Sequence, residues 1–154
     1  MNILEKIMAV KQQEVAERKA ITPIERLKRS IYYNTTPVSL KKYILRPDRS
    51  GIIAEIKRQS PSRGVINAFI DVKELSIGYM QAGASALSIL TDKEFFGGSL
   101  QDLETARGYN YCPILRKDFI LDPYQIHEAK SHGADAILLI ARALTVQQTH
   151  ELAS

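Results

Sequence analysis

From residue 51 onward the chain alternates a short apolar run with an amphipathic stretch four times, and that alternation restricts it to a few α/β architectures. The apolar runs fall at 52–57, 85–90, 113–117 and 135–140. The last, Asp135-Ala136-Ile137-Leu138-Leu139-Ile140, is almost continuously apolar, as a parallel strand covered on both faces would be. Each amphipathic stretch opens on a helix-start signal. Asp71 precedes Glu74, Ser99 precedes Asp102, Asp122 is followed by Pro123 and Gln125, and Thr145 precedes Gln148. Gly83 and Gly133 end two of these helices just before the next strand. Strand–helix units repeating every roughly 25–35 residues imply a parallel sheet with right-handed crossovers. The pattern alone fits an open doubly wound sheet or part of a barrel. Neither a G-x-G-x-x-G after the first strand nor a G-x-x-x-x-G-K-[ST] is present, so nucleotide-binding versions lack support.

The first fifty residues follow a different rule. Ile3, Leu4, Ile7, Met8, Val15 and Ala16 predict an amphipathic helix over 3–20, with Asn2 and Glu5 as a capping-box start. Pro23 opens a second helical stretch with Ile24, Leu27 and Ile31, broken at Asn34-Thr35-Thr36-Pro37. Val38 to Leu45 is ambiguous, and Arg46-Pro47-Asp48-Arg49-Ser50 reads as a turn.

The net charge of +4 owes much to this basic N-terminal region, whose charged face reads as solvated. With no Arg-rich run interleaved with aromatics, a nucleic-acid partner is not expected. Cys112 is the single cysteine, so an intramolecular disulfide and a cysteine metal cluster are excluded; beside Pro113 it reads as a small buried hydrophobe. No apolar run reaches the ~20 residues needed to cross a bilayer. Met1 to Ala20 is too charged for a signal peptide, so a cytoplasmic location is expected.

Three strand ends carry residues that a packed core would not select. The first reads Ile53-Ala54-Glu55-Ile56-Lys57-Arg58-Gln59-Ser60-Pro61-Ser62-Arg63-Gly64. Side chains two apart on a strand share a face, so Glu55 and Lys57 point the same way. The second end gives Thr91-Asp92-Lys93-Glu94-Phe95-Phe96-Gly97-Gly98-Ser99, and the third Arg116-Lys117-Asp118-Phe119. All follow their apolar runs and so collect at the C-terminal edge of the sheet, where α/β enzymes build their sites. Lysines beside a carboxylate can hold an anionic substrate and move protons, and Phe96 and Phe119 can wall an aromatic group. Taken singly, Glu-x-Lys is a common surface ion pair and Gly97-Gly98 a common flexible loop. His127, His132 and His150, on helices with polar neighbours, read as solvated.

These segments resemble indole-3-glycerol-phosphate synthase. The matching stretches are IAEIKRQSPSRG at 53–64, ALSILTDKEFFGGS at 86–99, PILRKDFILDPYQIHEA at 113–129 and GADAILLIARAL at 133–144. NILEKIMAVKQQEVAERK at 2–19 is similar to the helical extension ahead of that family's barrel. The resemblance implies an α/β chain of the (βα)8 TIM-barrel class, with a helical extension over 1–48 and the first half of the barrel, about four βα units, over 49–154. It implies conversion of 1-(2-carboxyphenylamino)-1-deoxyribulose 5-phosphate to indole-3-glycerol phosphate, with loss of CO2 and water, without metal or organic cofactor. Lys117 would be the general acid at the substrate ketone. Glu55 would assist proton transfer in the dehydration, and Lys57, the third catalytic residue implied, would hold an anionic group of the substrate and could also transfer a proton. Ser60 would lie near the substrate carboxylate, and Phe96, Phe119 and Leu139 would line the aryl pocket.

A complete barrel takes about 250 residues and places its phosphate site after strands seven and eight. The 154 residues, ending early in a fourth helix, are therefore expected to be the N-terminal portion of such an enzyme, inactive alone. Two other readings compete: a non-catalytic half-barrel that self-associates or pairs with a complementary C-terminal half through its open strand edges, and another phosphate-handling barrel enzyme.

Overall fold

The computed structural model describes residues 1–154. It begins with the helix α1 (Ile3–Ile21), capped as expected: the Asn2 side chain accepts from Glu5 N and the Glu5 carboxylate accepts from Asn2 N. The second helical stretch is shorter than its apolar spacing predicts. α2 covers only Ile24–Leu27, and the chain then tightens into i→i+3 turns from Arg29 to Ser30. The Ser30 hydroxyl donates to the Ser131 carbonyl and accepts from Tyr32 N, a local alternative to helix that ends the element. Val38 to Leu45 resolves into a short helix, α3 (Leu40–Ile44), capped by Ser39.

Four parallel strands form the main sheet in the order β1 (Ile53–Ile56), β4 (Ala86–Leu90), β5 (Ile114–Lys117), β6 (Ala136–Ile137). The crossovers are the helices α4 (Val72–Gln81), α5 (Leu100–Tyr109) and α6 (Pro123–Ser131), each starting at the expected cap: Asp71, Ser99 or Asp122. Gly83 and Gly133 take the left-handed backbone that ends α4 and α6. β4 is buried at all five residues because it has a strand on either side. One core joins Ile56, Leu87, Ile89 and Ile114 of the sheet to Val72, Leu103, Ala106, Cys112, Ala129 and Ala134. Burying each large aliphatic side chain there contributes about 1.5–3 kcal/mol.

The fourth strand departs from expectation. The apolar run 135–140 yields only two strand residues, and 136–140 are half-buried rather than covered on both faces. β6 is an edge strand with β5 as its only neighbour, and pairing stops at Arg116↔Ile137. With no strand beyond, the outer edge of β6 is unpaired. A 3-10 turn (Ala141–Ala143) then leads into α7 (Val146–Ala153), which starts at Thr145 as the Thr145–Gln148 spacing predicts. After β1 the chain makes an unforeseen hairpin, β2 (Gln59–Ser60) with β3 (Gly64–Val65), folding the Ser-Pro-Ser-Arg segment back over the sheet's C-terminal edge. No helix is long and apolar enough to cross a membrane.

Candidate active site

Strand register brings the first cluster together. Glu55 on β1 lies opposite Ser88 on β4, and Lys117 on β5 lies opposite Leu90, two residues further along β4 on the same face. The Ser88 hydroxyl donates to Glu55 Oε2 at 3.0 Å. Lys117 Nζ lies 3.4 Å from that oxygen, and Lys57 Nζ 3.3 Å from Oε1. The Tyr79 hydroxyl donates to the Glu55 carbonyl at 3.1 Å, fixing the strand from below. Burial alone would raise the Glu55 carboxyl, but the Ser88 hydroxyl and the Lys117 and Lys57 ammoniums together hold it below its ordinary value. Glu55 is therefore a carboxylate at neutral pH, shared by two lysines whose side chains are more than a third exposed to the space above.

Lys57 also lines an adjoining cleft of about 500 Å³, together with Ser60, Arg63, Phe96 and Phe119, and Ile3, Leu4 and Ile7 of α1 close one side; Glu55 and Lys117 are not among its lining residues. The Phe96 and Phe119 rings lie 5.9 Å apart at 37°, a tilted pair at the ends of β4 and β5. Ser60 sits in the hairpin, its hydroxyl accepting from Arg63 N at 3.2 Å. Leu139 follows β6 and is not among the residues lining this cleft. A larger groove of about 690 Å³ runs between α1 and residues 143–148. Its Lys19 is already paired with Asp122, at 3.0 Å, and it brings together no comparable acid–base cluster.

Two supports under the cleft were not read from the sequence. One is Ser88, whose hydroxyl looks like a neutral insertion in an apolar strand until the register sets it beside Glu55. The other is a buried charge network below Phe96 and Phe119. Lys11 of α1 reaches Asp92 at 2.6 Å and Asp118 at 3.2 Å, and Arg116 lies 3.3 Å from Asp118 and 3.5 Å from Glu128. Burial would raise the Asp118 carboxyl, but Arg116, Lys11 and the Thr91 hydroxyl hold it below its ordinary value. The only sequence signal for Lys11 was its place between Ile7 and Val15, at i+4 and i−4, on the apolar face of α1.

The loop after β4 is shaped by its own backbone. Asp92 accepts from Phe95 N at 2.8 Å, and Gly98 N donates to the Asp92 carbonyl at 2.8 Å. Gly98 packs so closely on the Leu90 carbonyl that a Cβ there would overlap it. The glycine pair is thus a tight fold-back that holds Phe96 over the sheet, not a flexible loop. Two histidines also differ from expectation. His127 stacks on Tyr33 and shares a 2.6 Å hydrogen bond with its hydroxyl, and His132, half-buried, lies 3.6 Å from Glu104. Burial keeps the His132 imidazole below its ordinary value. Only His150 is exposed.

The family model described as indole-3-glycerol phosphate synthase matches residues 4–154. The indole-3-glycerol phosphate synthase of Bacteroides thetaiotaomicron is 50% identical over 152 residues, covering 99% of this chain and 58% of that protein. That of Beutenbergia cavernae is 42% identical over 144 residues, 94% of this chain and 53% of its own length. That of Carboxydothermus hydrogenoformans is 41% identical over 155 residues, 97% and 59% respectively. The chain thus spans between half and three fifths of the length of these curated relatives.

Proposed function

This chain belongs to the indole-3-glycerol phosphate synthase family, and we propose that its cleft binds 1-(2-carboxyphenylamino)-1-deoxyribulose 5-phosphate and supplies acid–base groups for its conversion to indole-3-glycerol phosphate, CO2 and water. The observation that carries this reading is the Glu55 carboxylate held between Lys57 and Lys117, with Lys57 also lining the cleft that Phe96 and Phe119 wall. Such a site matches a substrate that joins an aryl carboxylate to a sugar phosphate.

In this scheme the aryl ring lies against Phe96 and Phe119, and its carboxylate faces Lys57 and the Ser60 hydroxyl. The ring carbon bearing the carboxylate attacks the ketone carbon, and the Lys117 ammonium gives its proton to the ketone oxygen, which becomes a hydroxyl. The bond to the carboxylate breaks, CO2 leaves, and its electron pair restores the aromatic ring. The hydroxyl then departs as water. Glu55, ionised and 3.4 Å from Lys117, takes the ring-closing carbon's neighbouring C–H proton from the intermediate and gives it to the departing hydroxyl, and the Lys117 ammonium is restored by a proton from solvent. Leu139, which follows β6 and has no contact with the Glu55, Lys57 and Lys117 cluster given above, is not carried into this scheme.

We read the fold as the helical extension (1–48) and one half (49–154) of a (βα)8 barrel working in the cytoplasm. β1 and β6 each have a strand on one side only, and Ile53 on β1 is 38% exposed. Those edges are where complementary strands would pair, from a chain carrying the other half or from a second copy. The same open edges favour the reading of an assembly module. Sedimentation at high concentration separates the cases, because a strictly monomeric folded chain is incompatible with it.

The test of function uses indole fluorescence for turnover and calorimetry for binding of the substrate analogue whose ketone is reduced to an alcohol. We expect negligible turnover by the chain alone and turnover once complementary strands are supplied. Binding of the analogue should weaken in Lys57→Met. An analogue that ignores Lys57→Met, or a complemented barrel that makes no indole product, rejects the proposal.

A further inference from the structure

Lys11 is 1% exposed, in the middle of the apolar face that packs α1 onto the rest of the chain. Removing an ammonium from water costs several kcal/mol even after relaxation, and an apolar side chain between Ile7 and Val15 would fill the same face without that cost. The charge is retained among three carboxylates: Asp92 at 2.6 Å, Glu14 at 2.9 Å and Asp118 at 3.2 Å. Two of these are the roots of the loops that build the cleft. Asp92 also accepts from Phe95 N, one residue before Phe96, and Asp118 follows Lys117 and accepts from Phe119 N at 2.7 Å. One turn before Lys11, Ile7 enters the cleft wall, with Ile3 and Leu4 beyond it.

We propose that Lys11 is a positioning residue for this site: its single ammonium fixes the first two turns of α1 to the loop roots that carry Phe96, Lys117 and Phe119, and so sets the width of the aryl cleft. The helix contributes a wall and the strands contribute the chemistry; Lys11 is the polar contact that ties the two together at the floor. The inference rests on the functional reading of the cleft given above.

Three chains test it: Lys11→Met, the double variant Lys11→Met/Asp92→Asn, and wild type. The single variant leaves buried Asp92 without its ammonium and Asp118 with Arg116 as its one cation, and loses stability. The double variant removes one charge of each sign, so its thermal midpoint returns toward wild type. The readouts are thermal midpoint, hydrogen exchange across residues 3–10, and calorimetric affinity for the reduced substrate analogue. The expected result is a double variant with recovered stability, faster exchange over 3–10 and about tenfold weaker analogue binding. If Lys11 served the fold alone, affinity would return together with stability, and that result overturns the inference while leaving the functional reading intact. A wild-type chain that does not bind the analogue overturns both. If the double variant does not fold, Asp92→Asn alone, which keeps Lys11 on Asp118 and Glu14, decides the matter. Weakened binding by a folded Asp92→Asn chain supports the role, and unchanged binding rejects it.

Discussion

Glu55 and Lys117 meet at 3.4 Å although their strands are not neighbours, because the small Ser88 on the intervening β4 leaves room and donates to the same carboxylate oxygen. The contact places an ammonium and a carboxylate side by side, the proton donor and acceptor that the proposed function requires. In a complemented barrel, Lys117→Met should lower kcat by about 10²–10⁴ with a smaller change in KM, the size expected for loss of a positioned general acid. Glu55→Gln should also lower kcat, because the amide can hydrogen bond but cannot accept the proton. Steady-state indole formation measures both, and a Lys117→Met enzyme with wild-type kcat contradicts the assignment.

The same groups set the acid limit of the fold. Glu55 and Asp118 are held below their ordinary values of 4.5 and 3.8 in the native chain. A depressed carboxyl contributes stability that is complete above its unfolded value and is lost as pH falls through the folded one. Denaturant midpoints should therefore decline gently below the ordinary histidine value of 6.5, as the unfolded chain protonates His132 more readily than the folded one, and fall more steeply below 4.5 as the carboxylates protonate. In Asp118→Asn the stability near neutral pH should be lower and the acid limb shallower. A wild-type midpoint unchanged down to about pH 2 would reject this linkage.

Much of the fold and the site was legible in the sequence. Period-two and continuous apolar runs gave three of the four strands to within a residue or so at each end, and polar cap residues gave the helix starts. Both are local signals. Glu55, Lys57, Ser60, Phe96, Phe119 and Lys117 stood out because charge and aromatics followed apolar runs, and the parallel sheet then gathered them at one edge. The misses are non-local. Ser88 gains meaning only from its register with Glu55, and Lys11 only from Asp92 and Asp118, which lie far along the chain. The run 135–140 misled because its apolar pattern does not show how far a strand pairs or what packs on it, and β6 pairs with β5 alone. Leu139 came from the family resemblance rather than from the residue pattern.

Gly98 offers a direct test of the fold-back after β4. Its missing side chain lets the backbone lie against the Leu90 carbonyl, and a Cβ would overlap that oxygen. Gly98→Ala must displace either the strand end or the loop that carries Phe96. We expect lower stability, by about 1–3 kcal/mol as for other overpacked sites, and weaker binding of the aryl analogue. Denaturant unfolding and calorimetry report the two effects. A Gly98→Ala chain of unchanged stability would show that the loop is as flexible as its composition suggests.

Cys112 gives a probe of the core. It is fully buried, and burial pushes its thiol up to about 11. The native thiol should react with a disulfide reagent at about pH 8 far more slowly than the unfolded chain, since thiolate and access are both lacking. The reaction rate against denaturant should follow the unfolding curve. Prompt labelling of the native chain would contradict the packing of β5 against α5.

Asp135 ties together parts of the chain that share no strand ladder. Arg107 donates to it, Val38 N donates at 2.8 Å and Ile114 N at 2.9 Å, while the Arg107 guanidinium also reaches the Gly133, Asn110 and Cys112 carbonyls. One carboxylate thus joins the segment before α3, the start of β5 and the end of α5. Replacing it removes the counter-charge of the Arg107 guanidinium, which keeps its three carbonyls, and leaves two amides without this acceptor, where the Arg107 side chain is 11% exposed. Asp135→Ala should cost about 3–5 kcal/mol, the range for a buried pair that loses one partner. Asp135→Asn, which keeps an acceptor oxygen, should cost less. Equilibrium unfolding distinguishes them, and an Asp135→Ala chain within about 0.5 kcal/mol of wild type would mean the site behaves as ordinary surface.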